Sequence, residues 1–334
     1  MMNQIKFVDL FCGIGGFRVA AEEVFRCNKI IPKCVFSSDI DSYVRDSYFV
    51  NFGDYPSGDI TKVKASEIPD HDILFGGFPC QPFSIIGKGE GFNDARGTLF
   101  FEIVRIIAEK RPTAFILENV KQLAGHKQGQ TINRILKILR ELGYYADWRI
   151  LNALDYGLPQ KRERVLIVGY IKEIDYKWPD KQKETVPLSK ILETNVDEKH
   201  YASRYIQEKR KQKHKAVALP SIWHENKSGN VCSYPYSCAL RAGASYNYLL
   251  VNGERRLTPR EMLRLQGFPD SYKVVVPDSQ IRKQAGNAVP VNLVKAVLSS
   301  LMAFLEADLN LSVKKKEDAV HGREADLPAL ANSR

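Results

Sequence analysis

The sequence predicts an α/β protein built on a doubly wound, mostly parallel sheet, with a second, smaller and irregular domain. Between residues 5 and 170, short apolar runs alternate with amphipathic helical patterns, as in a parallel sheet covered by helices. Beyond residue 171 the chain becomes polar and lysine-rich, and helical patterning returns near residue 257. We therefore expect one domain over 1–171 and 257–310, an inserted domain over 172–256, and a disordered charged tail over 311–334.

Five apolar runs predict strands and four periodic segments predict helices. The strands are expected at residues 5–10, 34–37, 73–75, 114–117 and 165–170. The helices are expected at residues 97–110, 130–142, 258–265 and 291–305.

Composition narrows the class of protein. The 334 residues are 44% hydrophobic, enough for a large core, and carry a net charge of +10. The inserted segment holds 16 Lys and Arg against 10 Asp and Glu, and such a charge favours a polyanionic partner. The N-terminus shows no signal peptide, no run of 18 apolar residues appears, and the six cysteines lack metal or disulfide spacing. These features favour a cytoplasmic protein with reduced thiols, no metal and no membrane.

The most informative stretch is Phe78-Pro79-Cys80-Gln81, which follows a short apolar strand and two glycines. This pattern holds a thiol at the carboxyl edge of a parallel sheet, where open α/β sheets bind their ligands. Cys80 is therefore a candidate nucleophile, although a free cysteine is more often a small buried hydrophobe.

Two further patterns favour a nucleotide-like ligand at the same edge. A glycine-rich turn, G-x-G-G at residues 13–16, joins the first strand to a helix, and its spacing is not that of dinucleotide sites. Asp39 follows the second strand, where an acid commonly binds a ribose diol, and Asp59 lies on a later loop. A tight turn and helix N-caps are the plain structural alternatives.

Three later motifs draw attention, two because they carry charge and one because it forms a turn. Glu118 ends an apolar strand, a costly position for a carboxylate unless it is paired or functional. Arg162 and Arg164 alternate in the segment Gln160-Lys-Arg-Glu-Arg164, and Gly286-Asn-Ala-Val-Pro290 precedes the last helix. Solvated charge or an ordinary turn would also explain each motif alone.

Together and in this order, FPCQPFS, ENV, QKRERV, RLTPRE with LQGFPDSY, and GNAVP resemble the cytosine-C5 DNA methyltransferases. The resemblance covers residues 5–170 and 250–305. It implies an S-adenosylmethionine-dependent enzyme that methylates C5 of a cytosine flipped out of duplex DNA. In this family the inserted domain, here residues 172–256, selects the DNA sequence.

The resemblance also implies a role for individual residues. Cys80 would add to C6 of cytosine, Glu118 would bind the N3 edge, and Arg162 and Arg164 would hold O2 and neighbouring backbone. The S-adenosylmethionine site would comprise the following residues: Phe11, Gly13, Ile14, Gly16, Asp39, Ile40, Asp59, Ile60, Pro79, Leu99 and Asn287. Phe11 would stack on the adenine, and a mobile loop at residues 84–91 would close over the base.

The residues that contact DNA are the least defined. The candidates are Gln81, Ser84, Lys209, Arg210, Arg241 and Tyr246. Lys209 and Arg210 are expected to contact phosphates, or to lie on a solvated helix, whereas the segment 241–248 is the better candidate for reading bases.

The sequence departs from the family at Asp39, where Glu is usual, at Ile40, where an aromatic is frequent, and at Ala239, where Thr is usual.

Three other functions compete with this interpretation. A tRNA cytosine-C5 methyltransferase would share the fold and the cysteine, but the basic insert favours duplex DNA. An inactive DNA-binding homologue would not need Cys80, Glu118 and Arg162 together, and a nucleotide-dependent oxidoreductase would leave the cysteine unexplained.

The expected partners are double-stranded DNA and a restriction endonuclease acting on the same site, and the protein is expected to be a monomer.

Overall fold

The computed structural model describes residues 4–79, 99–216 and 218–324, with side chains as far as residue 308. The strands are β1 Gln4–Leu10, β2 Ile31–Ser38, β3 Ile73–Gly77, β4 Ala114–Val120, β5 Tyr145–Asn152, β6 Gln160–Lys161, β7 Glu163–Tyr170, β8 Ile222–Glu225, β9 Val231–Tyr234, β10 Ser237–Cys238 and β11 Leu249–Val251. The α-helices are α1 Gly16–Cys27, α2 Ser42–Phe52, α3 Leu99–Lys110, α4 Gln122–Gly125, α5 Gln130–Glu141, α6 Leu188–Ile191, α7 Arg204–Lys213, α8 Pro259–Leu265, α9 Asp278–Asn287 and α10 Val291–Glu324.

A six-stranded sheet in the order β2-β1-β3-β4-β7-β5 forms the centre of the molecule. The first four strands of this order are parallel, and β7 runs antiparallel to both of its neighbours. Buried apolar side chains form one core on each face of the sheet, one including α1 and α10 and the other α3 and α5. The predicted doubly wound, mostly parallel sheet is confirmed.

Burial explains which strands the sequence revealed. The strands β3 and β4 are covered on both faces and read as continuous apolar runs, as expected inside a parallel sheet. All five predicted strands lie within observed ones. The sequence analysis missed β5, an edge strand whose exposed and buried residues alternate irregularly.

The first residues of the inserted segment pack against the larger domain. Trp178 donates a 2.7 Å hydrogen bond from Nε1 to Asp147 on β5, and Leu188 and Ile191 are buried in the core beside α10. A separate antiparallel sheet, in the order β11-β8-β9, forms only from residue 222. Residues 172–192 therefore pack on the larger domain, and the structural boundary lies later than the sequence suggested.

A pairing of two short strands, β6 and β10, forms a third sheet, separate from both the six-stranded sheet and the small antiparallel sheet. In this pairing β10 lies parallel to β6, with Ser237 opposite Gln160 and Cys238 opposite Lys161. The segment that follows β10 is therefore fixed against the motif QKRER.

The C-terminal helix is longer than the sequence predicts. The helix α10 continues to Glu324, through a lysine- and glutamate-rich stretch of good helix formers, and the rest of the tail lies outside the described residues. In the described part of the chain, the stretch Asp278–Asp308 is long and apolar enough to cross a membrane, but 61% of its most apolar window is buried inside the protein. Its apolar residues belong to the core and pack toward α1.

Candidate active site at the edge of the sheet

A cavity of about 540 Å³ opens at the carboxyl ends of the parallel strands. We call it the sheet-edge cavity. Nine of the eleven expected cofactor residues line it: Phe11, Gly13, Asp39, Ile40, Asp59, Ile60, Pro79, Leu99 and Asn287. Glu118 and Arg164 line the same cavity. Motifs separated by up to 276 positions in the chain, from Phe11 to Asn287, therefore form one site.

Asp39 joins the glycine-rich turn to the end of β2. Its carboxylate accepts hydrogen bonds from the backbone N–H groups of Gly13, at 3.0 Å, and Asp41, at 2.9 Å. Burial raises the pKa of Asp39, while these two N–H groups oppose that shift by favouring the charged form. Each carboxylate oxygen can accept a second hydrogen bond, so Asp39 can shape the turn and still bind a hydroxyl in the cavity.

Asp59 is held in a similar way, on a loop that pairs with the end of β2. Its Oδ1 accepts hydrogen bonds from the backbone N–H of Thr61, at 3.0 Å, and from its hydroxyl, at 2.7 Å. These bonds lower the pKa of Asp59, so the side chain is a charged acceptor at neutral pH. Ile40, the residue after Asp39, leaves 75% of its surface exposed at the cavity and offers an apolar face to a flat ring.

Ile14 and Gly16 differ from the expectation, because neither lines the cavity. Ile14 is buried, and its carbonyl accepts a hydrogen bond from the hydroxyl of Tyr272. A Cβ on Gly16 would lie 2.6 Å from the carbonyl oxygen of Val289. Glycine is needed here so that α1 can pack against the GNAVP segment, and its contact with a cofactor is not seen.

Glu118 and Arg164 form a buried ion pair at the end of β4. The Nε of Arg164 lies 2.7 Å from Oε1 of Glu118. Burial raises the pKa of Glu118, and the charges of Arg164 and then Arg162 act in the opposite direction. The net effect raises the pKa of Glu118, so the protonated form of this carboxyl is easier to reach than that of an exposed glutamate.

Asn119 is a site residue to which the sequence analysis assigned no role. Its side-chain amide donates a 2.9 Å hydrogen bond to the carbonyl of Phe78, two residues before Cys80. Asn119 is buried, and it therefore fixes the start of the loop next to Glu118. The tripeptide ENV was quoted for its carboxylate, and the neighbouring amide could have been noticed only with the tertiary contact known.

Cys80, Gln81 and Ser84 lie outside the described residues, as does the expected mobile loop at 84–91. Pro79, immediately before Cys80, lines the sheet-edge cavity together with Glu118. The chain thus enters this loop at the cavity.

Arg162 has an environment that the sequence analysis did not expect. Its side chain is fully buried, and its guanidinium donates to the backbone carbonyls of Leu240, Gly286 and Ala288 at 2.7–2.9 Å. Arg162 does not line the sheet-edge cavity, in contrast to Arg164. We therefore correct its expected contact with cytosine to a structural contact between distant segments.

Arg210 also requires a correction. It was expected to contact DNA phosphates, but it is 2% exposed and lies between α7 and the small sheet. Its guanidinium pairs with Glu225 at 3.1 Å and donates to the carbonyl of Asn247. Lys209, the adjacent residue, is exposed, with its Nζ 5.7 Å from the ring centre of Tyr205.

The segment 239–248, which we call the recognition loop, presents arginine and tyrosine side chains around a second cavity of about 230 Å³. Arg256 and Arg282 stack on Tyr246 at 5.1 and 4.7 Å, and Arg241 stacks on Tyr248 at 4.9 Å. Arg241 and Tyr246 are exposed. We call this the recognition cavity, and stacked cations at an exposed surface suit a polyanion.

The fold and the two cavities define an α/β protein with a ligand-sized site at the edge of its sheet, and comparison with known proteins establishes the family. The family model described as "C-5 cytosine-specific DNA methylase" matches residues 5–303. The chain therefore belongs to the C-5 cytosine-specific DNA methylase family, and it is a DNA cytosine-5 methyltransferase.

Relatives and solved structures agree with this placement. The chain is 50% identical to the Type II methyltransferase M.NgoBI of Neisseria gonorrhoeae over 324 residues, covering 96% of this chain and 99% of that protein. It is also 50% identical to the Type II methyltransferase M.HaeII of Haemophilus aegyptius over 322 residues, covering 96% and 98% of the two chains. The structure of the Dnmt2 methyltransferase of S. pombe matches with a TM-score of 0.69 and 21% identity, covering 90% of this chain and 99% of that one. The last comparison concerns the fold alone.

Proposed function

We propose that the protein transfers a methyl group from S-adenosylmethionine to C5 of a flipped-out cytosine in a short, specific duplex DNA sequence. The observation that carries this proposal is that Glu118, Arg164 and nine of the eleven residues expected to bind the cofactor, Pro79 among them, line one cavity. Relatives that are named Type II methyltransferases support a role beside a restriction endonuclease that acts on the same site.

The sheet-edge cavity suits S-adenosylmethionine. Its volume of about 540 Å³ is in the range of small-molecule sites, and two carboxylates and an exposed isoleucine line one side of it. Asp39 and Asp59 would accept hydrogen bonds from the ribose and the adenine amino group, with Ile40 and Phe11 against the ring. The amide of Asn287 would bind near the methionine end. When bound, the cofactor supplies an electrophilic methyl group on a sulfonium.

The protein's own residues would prepare the cytosine for that transfer. The thiolate of Cys80 would form a bond to C6, and the electron density of the C5–C6 double bond would move to C5. Protonated Glu118 would hold N3 by a hydrogen bond, and Arg164 would hold Glu118 and face O2 of the ring. After methylation, loss of the C5 proton to a base would let the C6–sulfur bond break and release Cys80 as a thiolate.

A trapping experiment tests this assignment. DNA that contains 5-fluorocytosine at the target position has no C5 proton to lose, so the protein should remain covalently attached to it. Wild type should form the adduct only with the cofactor present, and Cys80→Ser should form none. An adduct in Cys80→Ser, or peptide mapping that places the bond on another cysteine, contradicts the proposal. Parallel assays on duplex DNA and tRNA test the competing substrate.

Sequence choice is assigned to the recognition loop. A bidentate arginine–guanine contact contributes about 1–3 kcal/mol of discrimination between bases. Arg241→Ala should therefore relax the preference at one base pair while cofactor affinity stays within about twofold. Methylation mapped over a random-site library measures the preference. An unchanged site together with lost cofactor binding would show that the loop does not read DNA.

We further propose that the protein acts as a monomer in the cytoplasm, the setting in which reduced cysteines are stable. Sedimentation of the protein with and without its DNA site would test the stoichiometry.

A further inference from the structure

Two fully buried polar side chains lie behind the motif QKRER and face away from the solvent. Gln160 and Arg162 each have no exposed surface. Gln160 lies on β6, and Arg162 is the single residue between β6 and β7, next to the pairing of β6 with β10.

Both side chains hold the same residue of the recognition loop. The Oε1 of Gln160 accepts a 2.9 Å hydrogen bond from the backbone N–H of Leu240. Arg162 donates a 2.8 Å hydrogen bond to the backbone carbonyl of Leu240. The peptide groups on both sides of Leu240 are therefore fixed, one residue before Arg241.

The same two side chains also form hydrogen bonds with other segments of the larger domain. Arg162 also donates to the carbonyls of Gly286, at 2.9 Å, and Ala288, at 2.7 Å, and Gly286 lines the sheet-edge cavity. Gln160 donates to the carbonyl of Leu265 at 2.8 Å. Two residues thus connect the recognition loop, the cavity wall and α8.

Stability alone gives little reason for this arrangement. Burial is the main cause that lowers the pKa of Arg162, to about 9, and its hydrogen bonds go to carbonyl dipoles. A buried charge is costly, and well-packed apolar residues of similar volume often stabilise a protein at least as well. What the guanidinium provides, and an apolar side chain does not, is a fixed geometry among three separate backbone segments.

We propose that Gln160 and Arg162 are positioning residues that hold the recognition loop in register with the base pocket. The inference rests on the proposed function. Arg164, two residues along the chain, pairs with Glu118, and Arg241 follows Leu240 directly. By holding Leu240, Gln160 and Arg162 therefore set the position of Arg241, the side chain that reads the sequence. That position is set relative to Glu118 and Arg164, the groups that hold the cytosine.

The test measures discrimination, because instability alone cannot change it. The site preferred by the wild type is first identified from a random duplex library, and kcat/KM is then measured for that site and for its single-base variants. An unfolded fraction lowers the rate on every sequence equally, whereas a shifted loop changes the ratio between sequences. Arg162→Lys and Gln160→Leu should each lower the ratio by roughly tenfold or more, because each removes hydrogen bonds that orient the loop.

The two variants should also be coupled. Since both side chains act on Leu240, the loss of discrimination in the double variant should be smaller than the product of the two single losses. Arg140→Lys is the matched control, because Arg140 also donates to a backbone carbonyl, that of Ala146, but lines neither cavity. It should keep the wild-type ratio.

The outcomes separate this inference from the proposed function. A wild-type protein that methylates no duplex DNA contradicts the proposed function. A wild-type protein with a clear site, together with unchanged ratios in Arg162→Lys and Gln160→Leu, overturns only the positioning role. An equal fall in Arg140→Lys also overturns it. If Arg162→Lys does not fold, the ratio in Gln160→Leu decides alone.

Discussion

Glu118 is subject to two opposing influences at the end of β4. Burial raises its pKa, whereas the guanidinium of Arg164, 2.7 Å away, lowers it. A carboxyl group that remains protonated near neutral pH can donate a hydrogen bond to a ring nitrogen, which an ionised carboxylate cannot do. The local environment of this residue therefore fits the role of an acid toward N3 of cytosine.

Replacement of Glu118 by glutamine should slow the reaction strongly. Glutamine can donate a hydrogen bond but cannot transfer a proton, and loss of acid assistance should reduce kcat by about 10²–10⁴. Cofactor affinity, measured by calorimetry, should change little because Asp39, Asp59 and Asn287 are intact. Turnover of Glu118→Gln near the wild-type rate would exclude the role.

The same residue predicts a pH dependence of stability. The folded-state pKa of Glu118 is raised, so between its unfolded pKa, near 4.5, and its folded pKa the native state binds more protons than the unfolded state. Wild-type stability should therefore fall as pH rises through this interval. Glu118→Gln does not titrate, and it should gain stability relative to the wild type between pH 4 and pH 8. Thermal unfolding at both pH values measures this difference, and a relative loss on raising the pH would contradict the pKa shift.

The residues at this scale were largely predictable because each has a local signal. Glu118 ends an apolar strand, Asp39 follows the second strand, and glycines mark the turn after the first strand. Asn119 and Arg162 could not be assigned in the same way. Their hydrogen-bond partners lie 41 and 78 or more positions away, and chain order does not show which segments meet.

Among the elements, α7 shows why a charged run cannot be interpreted from charge alone. Arg210 is buried against the small sheet, while Lys209 is exposed. The sequence places both in one basic cluster, and only the rotation of the helix distinguishes them. Residue-by-residue assignment within an amphipathic helix requires the surface against which it packs.

The two residues of α7 should respond differently to substitution. Lys209→Gln should remove one phosphate contact and reduce the slope of log affinity against log salt by about 0.9, with unchanged thermal stability. Arg210→Gln should lower the free energy of unfolding by on the order of 3 kcal/mol, because it leaves Glu225 without its partner, and should keep the salt slope. DNA binding by fluorescence anisotropy at several salt concentrations, with thermal unfolding, measures both. A salt slope reduced in Arg210→Gln instead of Lys209→Gln would reverse the assignment.

The missed and extended elements have the same kind of cause. Tertiary pairing with β7 makes β5 a strand despite its irregular pattern, and α10 extends beyond the apolar stretch from which its end was predicted. By contrast, strands buried on both faces and helices with a clear apolar stripe carry their own signal, and these were found. The residues of a helix or strand predict its structure when its own burial decides that structure. They fail to predict it when pairing with a distant segment decides it.

At the scale of the whole molecule, the two cavities are separated by a thin wall of backbone. Gly286 lines the sheet-edge cavity, and its Cα faces the backbone of Arg241 and Ala242 in the recognition loop. The helix α9 contributes to both cavities, with Arg282 on the recognition side and Lys283 on the other. The two cavities thus share one narrow structural element, an arrangement that the order of motifs in the chain does not reveal.

This wall predicts the effect of one added methyl group. In Gly286→Ala the new Cβ would lie 2.4 Å from the backbone nitrogen of Ala242 and 2.8 Å from the carbonyl carbon of Arg241. Backbone atoms cannot move aside as the end of a flexible side chain can, so the recognition loop must shift away from the cavity. We expect a loss of about 1–3 kcal/mol in the free energy of unfolding and at least a tenfold fall in kcat/KM for the preferred DNA site.

Gly125→Ala is the matched control for this substitution. A Cβ at Gly125 would meet no atom within 4 Å, and the residue lies at the end of α4, outside both cavities. It should retain the wild-type melting temperature and rate, which separates the effect of contact from that of removing a glycine. Thermal unfolding and steady-state methylation of the three proteins measure the outcome. If Gly286→Ala keeps the wild-type rate and site preference, the recognition loop does not pack on the cavity wall while the enzyme works, and the shared wall is not what couples the two sites.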